Sequence, residues 1–146
     1  MLLALYMPML ADTGGNTGSQ AATIIVRALA LKDVSNRDIF RVLFKELRVA
    51  LLLSAVLGCM TFGRVMLLSR GVELPEGLTL QMIGAAIAIA LSIQVISSTL
   101  AGALLPMLAS WLKRDPAVVA SPALTTVVDI TGLLIYFNVA KFMLGI

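Results

Sequence analysis

The stretch LTLQMIGAAIAIALSIQVISSTLAGALLPMLASWL, Leu78 to Leu112, contains no charged side chain. A helix needs about 20 apolar residues to cross the hydrocarbon core of a bilayer, and this run exceeds that length. Two more segments reach it, Leu47 to Leu68 and Ala117 to Ile146. A fourth, Met1 to Leu31, is apolar at both ends and interrupted in its middle by Gly14, Gly15 and Gly18. The expected class is an all-α membrane protein, a polytopic transmembrane helix bundle.

Composition agrees. Of 146 residues, 60% are hydrophobic and 13% charged, and the mean hydropathy is +1.01. A soluble domain of this size needs far more polar surface to cover its core. The net charge of +3 would suit nucleic acid, but the basic residues flank apolar spans, as they do beside anionic headgroups. The partner expected is therefore the lipid bilayer and not nucleic acid. Cys59 is the single cysteine, so no internal disulfide or thiolate metal cluster can form. Histidine, the commonest general base and transition-metal ligand, is missing altogether.

Lysine and arginine set the orientation. Arg27, Lys32, Arg37, Arg41, Lys45 and Arg48 follow the first apolar segment, and Lys113 with Arg114 precedes the last. The connection from Arg64 to Gly77 balances Arg64 and Arg70 with Glu73 and Glu76. Single crossings put both basic loops on one side, which the positive-inside rule makes cytoplasmic. Within the first loop, VSNRDIFRVLFKELR (Val34–Arg48) pairs Ser35 with Asp38 in a shortened capping box. Its apolar and basic residues fall on separate faces. That pattern fits a short helix lying in the interface and equally a helix end packed on its neighbours.

Polar groups inside the spans carry the functional signal. Asp129 lies within PALTTVVDITGLLIYF (Pro122–Phe137), with no basic residue within two helical turns. An acid near mid-membrane costs roughly 2.5–3.5 kcal/mol on insertion scales, and such acids mark ion paths. At helical spacing its face carries Pro122, Thr125, Thr126, Gly132, Leu133 and Tyr136, leaving Val127, Val128, Ile130, Leu134 and Phe137 for lipid. A cavity-lining stripe and an interhelical hydrogen bond from a protonated Asp129 both fit. In MLADTGGNTGSQAAT (Met9–Thr23), Asp12, Asn16, Ser19 or Gln20, and Thr23 repeat every three to four residues. The glycines beside them allow either tight packing or unwound backbone whose carbonyls face a cavity. Carboxylate, amide and carbonyl oxygens are what hard cations take. Gly84, Ala88 and Ser92, then Gln94, Ser98 and Gly102, read as packing positions, and Pro8 and Pro106 as kinks.

Asp12-Thr13-Gly14 matches the triplet of aspartic proteases, and Asp129-Ile130-Thr131-Gly132 echoes it. A shared proton between two intramembrane aspartates would be the corresponding chemistry. The triplet stands without its structural context. A secondary transporter with a broken-helix substrate site is the other alternative, although only one broken segment is evident.

PMLADTGGNTGSQAATIIVRALAL (Pro8–Leu31) and RDPAVVASPALTTVVDITGLLIYFNVAK (Arg114–Lys141) closely resemble the C-terminal transmembrane domain of the MgtE family of magnesium channels. The resemblance runs in order over nearly the whole chain. It implies that residues 1–146 form a transmembrane pore domain, helices two to five of five. The first helix and the cytoplasmic magnesium-sensing N-terminal and CBS domains would lie upstream. It further implies a homodimer in the cell membrane, with the pore on the twofold axis between the second and fifth helices. Carried over by position, Asp129 matches the acid that holds hydrated Mg2+, and Asn16 the asparagine of the GGN motif. Thr125 and Gly132 match pore-lining neighbours, and Asp115 an acid at the cytoplasmic mouth. Asp12 stands where a small residue is usual, as a second acidic ring or a selectivity change. The family is one of channels or transporters of divalent cations, not enzymes.

Overall fold

The computed structural model describes residues 2–72, 74–75, 77–119 and 122–145. Helix α1 spans Leu2–Ala30, a 3-10 turn Asn36–Asp38, α2 Ile39–Leu68, α3 Leu80–Trp111, α4 Pro116–Val119 and α5 Pro122–Leu144. Among the described residues, three helices are long and apolar enough to cross a membrane, within Asn36–Leu68, Leu80–Trp111 and Ala123–Leu144. α1 has comparable length, 29 residues, but its central polar residues dilute its hydropathy. The molecule is a multi-pass membrane helix bundle.

α3 is the hub. It packs against α1, α2 and α5, and α1 also packs on α5. Its 32 residues reach about 48 Å at 1.5 Å per residue, beyond the ~30 Å hydrocarbon core. The small residues flagged in the sequence do pack, in two directions. A methyl group on Gly84 would fall 2.7 Å from the Met66 side chain, and Ser92 Oγ donates to Ser54 O of α2 at 3.2 Å. Gln94, Ser98 and Gly102 turn to α1, where Ser98 Oγ lies 2.8 Å from Thr17 Oγ1. At Gly102 the approach is closest, because a Cβ there would overlap the Gly18 carbonyl oxygen. Only glycine allows that backbone contact.

α2 buries one stripe, Val42, Glu46, Ala50, Ser54, Gly58, Thr61 and Val65, a three-to-four-residue spacing that keeps one face on α3. It begins at Ile39 after the 3-10 turn Asn36–Asp38, so Ile39–Arg48 forms the end of a long helix and not a separate interfacial one. The capping pair is present: the Ser35 backbone N–H and hydroxyl donate to Asp38 Oδ2 at 2.9 and 2.7 Å. At the opposite end, Tyr6 Oη lies 3.1 Å from Ser69 Oγ and Arg64 sits over the Tyr6 ring, tying α1 to α2.

Both basic loops lie at one end of the bundle, where Ile25, Val34, Val42 and Met107 share a cluster. Each starts with the same turn. Asp33 N donates to Ala28 O, and Arg114 N to Ala109 O. Lys32 (φ 60°) and Lys113 (φ 56°) supply the left-handed residue that ends a helix in this way. Glu73 and Glu76 of the opposite connection, like Ala120, Ser121 and Ile146 of the last apolar segment, lie outside the described residues.

Two expectations need correction. α1 is one unbroken helix through Gly14, Gly15 and Gly18; Gly14 and Gly18 remove side chains where Gln94 and Ser98 of α3 press close, while Gly15 meets nothing. Pro8 likewise lies inside α1, and Pro106 inside α3. The second correction concerns α5. Val128 is fully buried, and its buried partners are Leu124, Gly132, Tyr136, Ala140 and Leu144. Steps of four drift about 40° around a helix of 3.6 residues per turn. The packed ridge therefore winds obliquely across α5, taking Gly132 and Tyr136 inward and leaving Asp129 out.

Candidate ion-binding face

On α1 the inner and outer faces divide cleanly. Tyr6, Leu10, Gly14, Gly18, Ala21, Ala22 and Ile25 are buried, while Asp12, Asn16, Gln20 and Thr23 are exposed. The expected polar stripe is thus real, with Ser19 half-buried at its edge. Asn16 Nδ2 donates to Asp12 Oδ2 at 3.2 Å, and Thr23 Oγ1 donates to Ser19 O at 2.8 Å. Because α1 is continuous, its carbonyls are engaged in helical bonds. The oxygen ligands on offer here are side chains.

On α5, Asp129 is exposed, and among the described residues none donates a hydrogen bond to its carboxylate or forms an ion pair with it. Thr125, one turn earlier, is also exposed and is hydrogen-bonded or otherwise engaged. Apolar side chains surround the acid on the surface: Ile130 is 56% and Leu133 40% exposed.

Four contacts set the register of α1 against α5. Ala22 clusters with Leu124 and Val128. A Cβ on Gly18 would lie 3.4 Å from Val128 Cγ2. Gly14 and Gly132 both face Gln94. Tyr136 Oη donates to Leu3 O at 2.6 Å. The helices therefore run antiparallel, and Asp129 falls between the levels of Gly18 and Gly14, the level of Asn16.

Of the residues singled out from the sequence, Asp12 and Asn16 are joined, and Asp129 and Thr125 share the outer side of α5. Gly132 is turned inward against Gln94, so its place is in the packing and not on the exposed face. Asp115 stands at the basic end, where its Oδ1 accepts from Ala117 N at 2.9 Å. It caps α4 with Pro116 in the first helical position, a favoured pairing. Among the described residues, no three Asp, Glu, His or Cys side chains gather to hold a metal. One chain offers dispersed acids.

Gln94 is the residue whose role the sequence understated. It is fully buried, and its Nε2 donates to Val128 O at 3.0 Å. The one available signal was an amide in the middle of a helix whose other amide, Gln81, sits in the first turn.

Comparison with known proteins is consistent along the chain. The family model described as MgtE, divalent cation transporter, matches residues 7–139. A protein of Thermus thermophilus named magnesium transporter MgtE is 42% identical over 142 residues, covering 97% of this chain and 29% of the relative. Proteins of the same name from Bacillus subtilis and Enterococcus faecalis are 33% and 35% identical, covering 94% and 98% of this chain. The chain spans 29–30% of the length of these relatives. With a family model matched from its seventh residue almost to its end, the chain belongs to the MgtE family of divalent cation transporters.

Proposed function

We propose that this chain forms the membrane pore of a magnesium transporter, through which hydrated Mg2+ passes between two copies related by a twofold axis. The observation that carries the reading is Asp129, an acid on an apolar helix, exposed and without a partner among the described residues. In lipid such a group is costly; facing a water-filled axis it is not. An isologous interface presents each residue to its own counterpart, so two Asp129 carboxylates form a ring that attracts cations and repels anions. Mg2+ sheds water reluctantly and is held through few carboxylates with several waters retained. Asn16 and Asp12, at and just beyond the level of Asp129, accept hydrogen bonds from that water shell. Thr125 flanks the acid, and Asp115 adds charge at the basic end, which is the cytoplasmic mouth in the cell membrane. Magnesium-sensing CBS domains elsewhere in the whole protein regulate passage.

Passage is passive, down the electrochemical gradient. The continuity of α1 removes the unwound segment on which a secondary-transporter reading rested. The protease reading loses its ground in a family of transporters. Flux into liposomes carrying the chain tests the proposal: Mg2+ enters without a sodium or proton gradient, and Asp129→Asn cuts entry at subsaturating Mg2+ by about 10²-fold. Calcium entering as readily as magnesium, or dependence on a coupling gradient, refutes it.

A further inference from the structure

We propose that Gln94 is the positioning residue for Asp129, holding α5 in the rotation that presents the carboxylate to the ion; this rests on the pore reading above. The side chain lies at the centre of the hub helix with 0% exposure. Its Nε2 donates at 3.0 Å to the carbonyl of Val128, the residue directly before Asp129. Two glycines on two different helices make room for it. A Cβ on Gly132 would fall 2.5 Å from Nε2, and one on Gly14 would overlap the same atom. The amide is thus seated in a slot whose walls are α1 and α5.

The polarity of that seat is what separates positioning from filling. Gln94 Oε1 is buried with no hydrogen-bond partner among the described residues, and a buried acceptor left unpaired is destabilising. Leucine or methionine would fill similar volume without that cost. The amide therefore does something an apolar side chain does not: it adds a donor from another helix to a carbonyl that within α5 already accepts from Thr131 Oγ1 at 3.1 Å. Val128 and Asp129 differ by about 100° around the helix, so fixing the first fixes the direction of the second. The bond also fixes which way the amide points, since the reversed amide would set two oxygens against each other. Gln94 itself, sealed behind α1 and α5, does not reach the ion.

Gln94→Leu and Gln94→Met test this in the purified chain reconstituted into liposomes, with Mg2+ alone as the probe and Asp129→Asn as reference. Both variants should keep the thermal unfolding midpoint or raise it. Half-saturating Mg2+ for entry should rise about 10-fold, the low end for loss of a group that orients a metal ligand. Gln94→Asn, one methylene short of Val128, should share the shift. Unchanged half-saturation in folded Gln94→Leu or Gln94→Met, with Asp129→Asn impaired, overturns this proposal and leaves the pore reading standing. Failure of both variants to fold also overturns it, by making the amide a structural necessity. If the unaltered chain is silent, or Asp129→Asn conducts normally, the pore reading falls and this one with it.

Discussion

α1 and α2 are helices of 29 and 30 residues that lie against the same hub, and their inner faces obey one rule. Each brings a small-residue stripe to α3, with Gly18 against Gly102 on one side and Gly58 near Ser92 on the other. Their outer faces are opposites. α2 exposes Leu52 (73%), Val56 (57%), Met60 (66%) and Leu67 (67%), a surface suited to acyl chains. α1 exposes Asp12, Asn16, Gln20 and Thr23 at the same kind of spacing. Polar groups facing hydrocarbon without partners are expensive, so the two outer faces cannot share one solvent. What distinguishes α1 from α2 is therefore its back, not its packing.

The most direct way to break the contrast is to make the α5 face beside α1 as uncharged as the Leu52, Val56 and Met60 face of α2. Asp129→Asn does so with little change of shape. Two carboxylates at ~5 Å from a doubly charged ion contribute about 3 kcal/mol even at the dielectric of water. Mg2+ entry at subsaturating concentration should fall by about 10²-fold, read with a magnesium-sensitive dye in liposomes. Undiminished entry would mean that α5, too, has merely a lipid-facing back.

The inner faces make a second, smaller test. Gly102→Ala places a methyl group on the Gly18 carbonyl oxygen, and overpacking of this kind costs about 1–3 kcal/mol. Gly15→Ala and Gly63→Ala meet nothing within 4 Å and should gain up to about 1 kcal/mol each from helix propensity. Thermal unfolding in detergent separates them. Equal midpoints for Gly102→Ala and Gly15→Ala would show that α1 does not approach α3 through glycine.

These glycines also mark where reading the sequence stopped short. The helical class and the basic loops at one end were legible, because hydropathy and charge placement are strong and local. The polar stripe of α1 was legible for the same reason, since spacing alone puts Asp12, Asn16 and Thr23 on one side. Whether Gly14 and Gly15 break the helix was not, because the answer depends on Gln94 of another helix pressing on one and nothing pressing on the other. The face of α5 was misjudged at Val128, Gly132 and Tyr136, since a helical wheel assumes a straight stripe and the packed ridge is oblique. Gln94 looked like one more small-or-polar packing position; its bond to Val128 O spans 34 positions in sequence.

Tyr136→Phe probes the register between α1 and α5. It removes the hydroxyl that donates to Leu3 O at 2.6 Å, a loss of about 0.5–1.5 kcal/mol for a neutral hydrogen bond. The unfolding midpoint should drop modestly while the Mg2+ dependence of entry stays put, because this bond lies two turns from Asp129. A shift in half-saturating Mg2+ as large as that expected of Gln94→Leu would instead show that any loosening of α5 disturbs the acid.

Asp12→Asn carries the smallest expected effect and asks the finest question of the contrast, whether the outer face of α1 is wet along its length. Asp12 lies four residues, about 6 Å along the axis, from the level of Asn16, and thus farther from an ion held at Asp129. At ~10 Å and the dielectric of water, each of the two Asp12 carboxylates of a dimer contributes about 0.8 kcal/mol to a divalent ion, and screening at 0.1 M salt leaves about 0.6 kcal/mol for the pair, roughly threefold in occupancy. The substitution keeps shape and a side-chain oxygen that can accept from Asn16 Nδ2, so charge is the main variable. Because 10 Å is about the Debye length at 0.1 M salt, the loss should be plain in low salt and fade in high salt. Asp129 acts at closer range, so its effect should fade less. A salt-independent change at Asp12 would point to altered geometry at Asn16, and no change at all would place that turn of α1 outside the ion's field, leaving Asn16 as the last polar group of α1 that the ion meets.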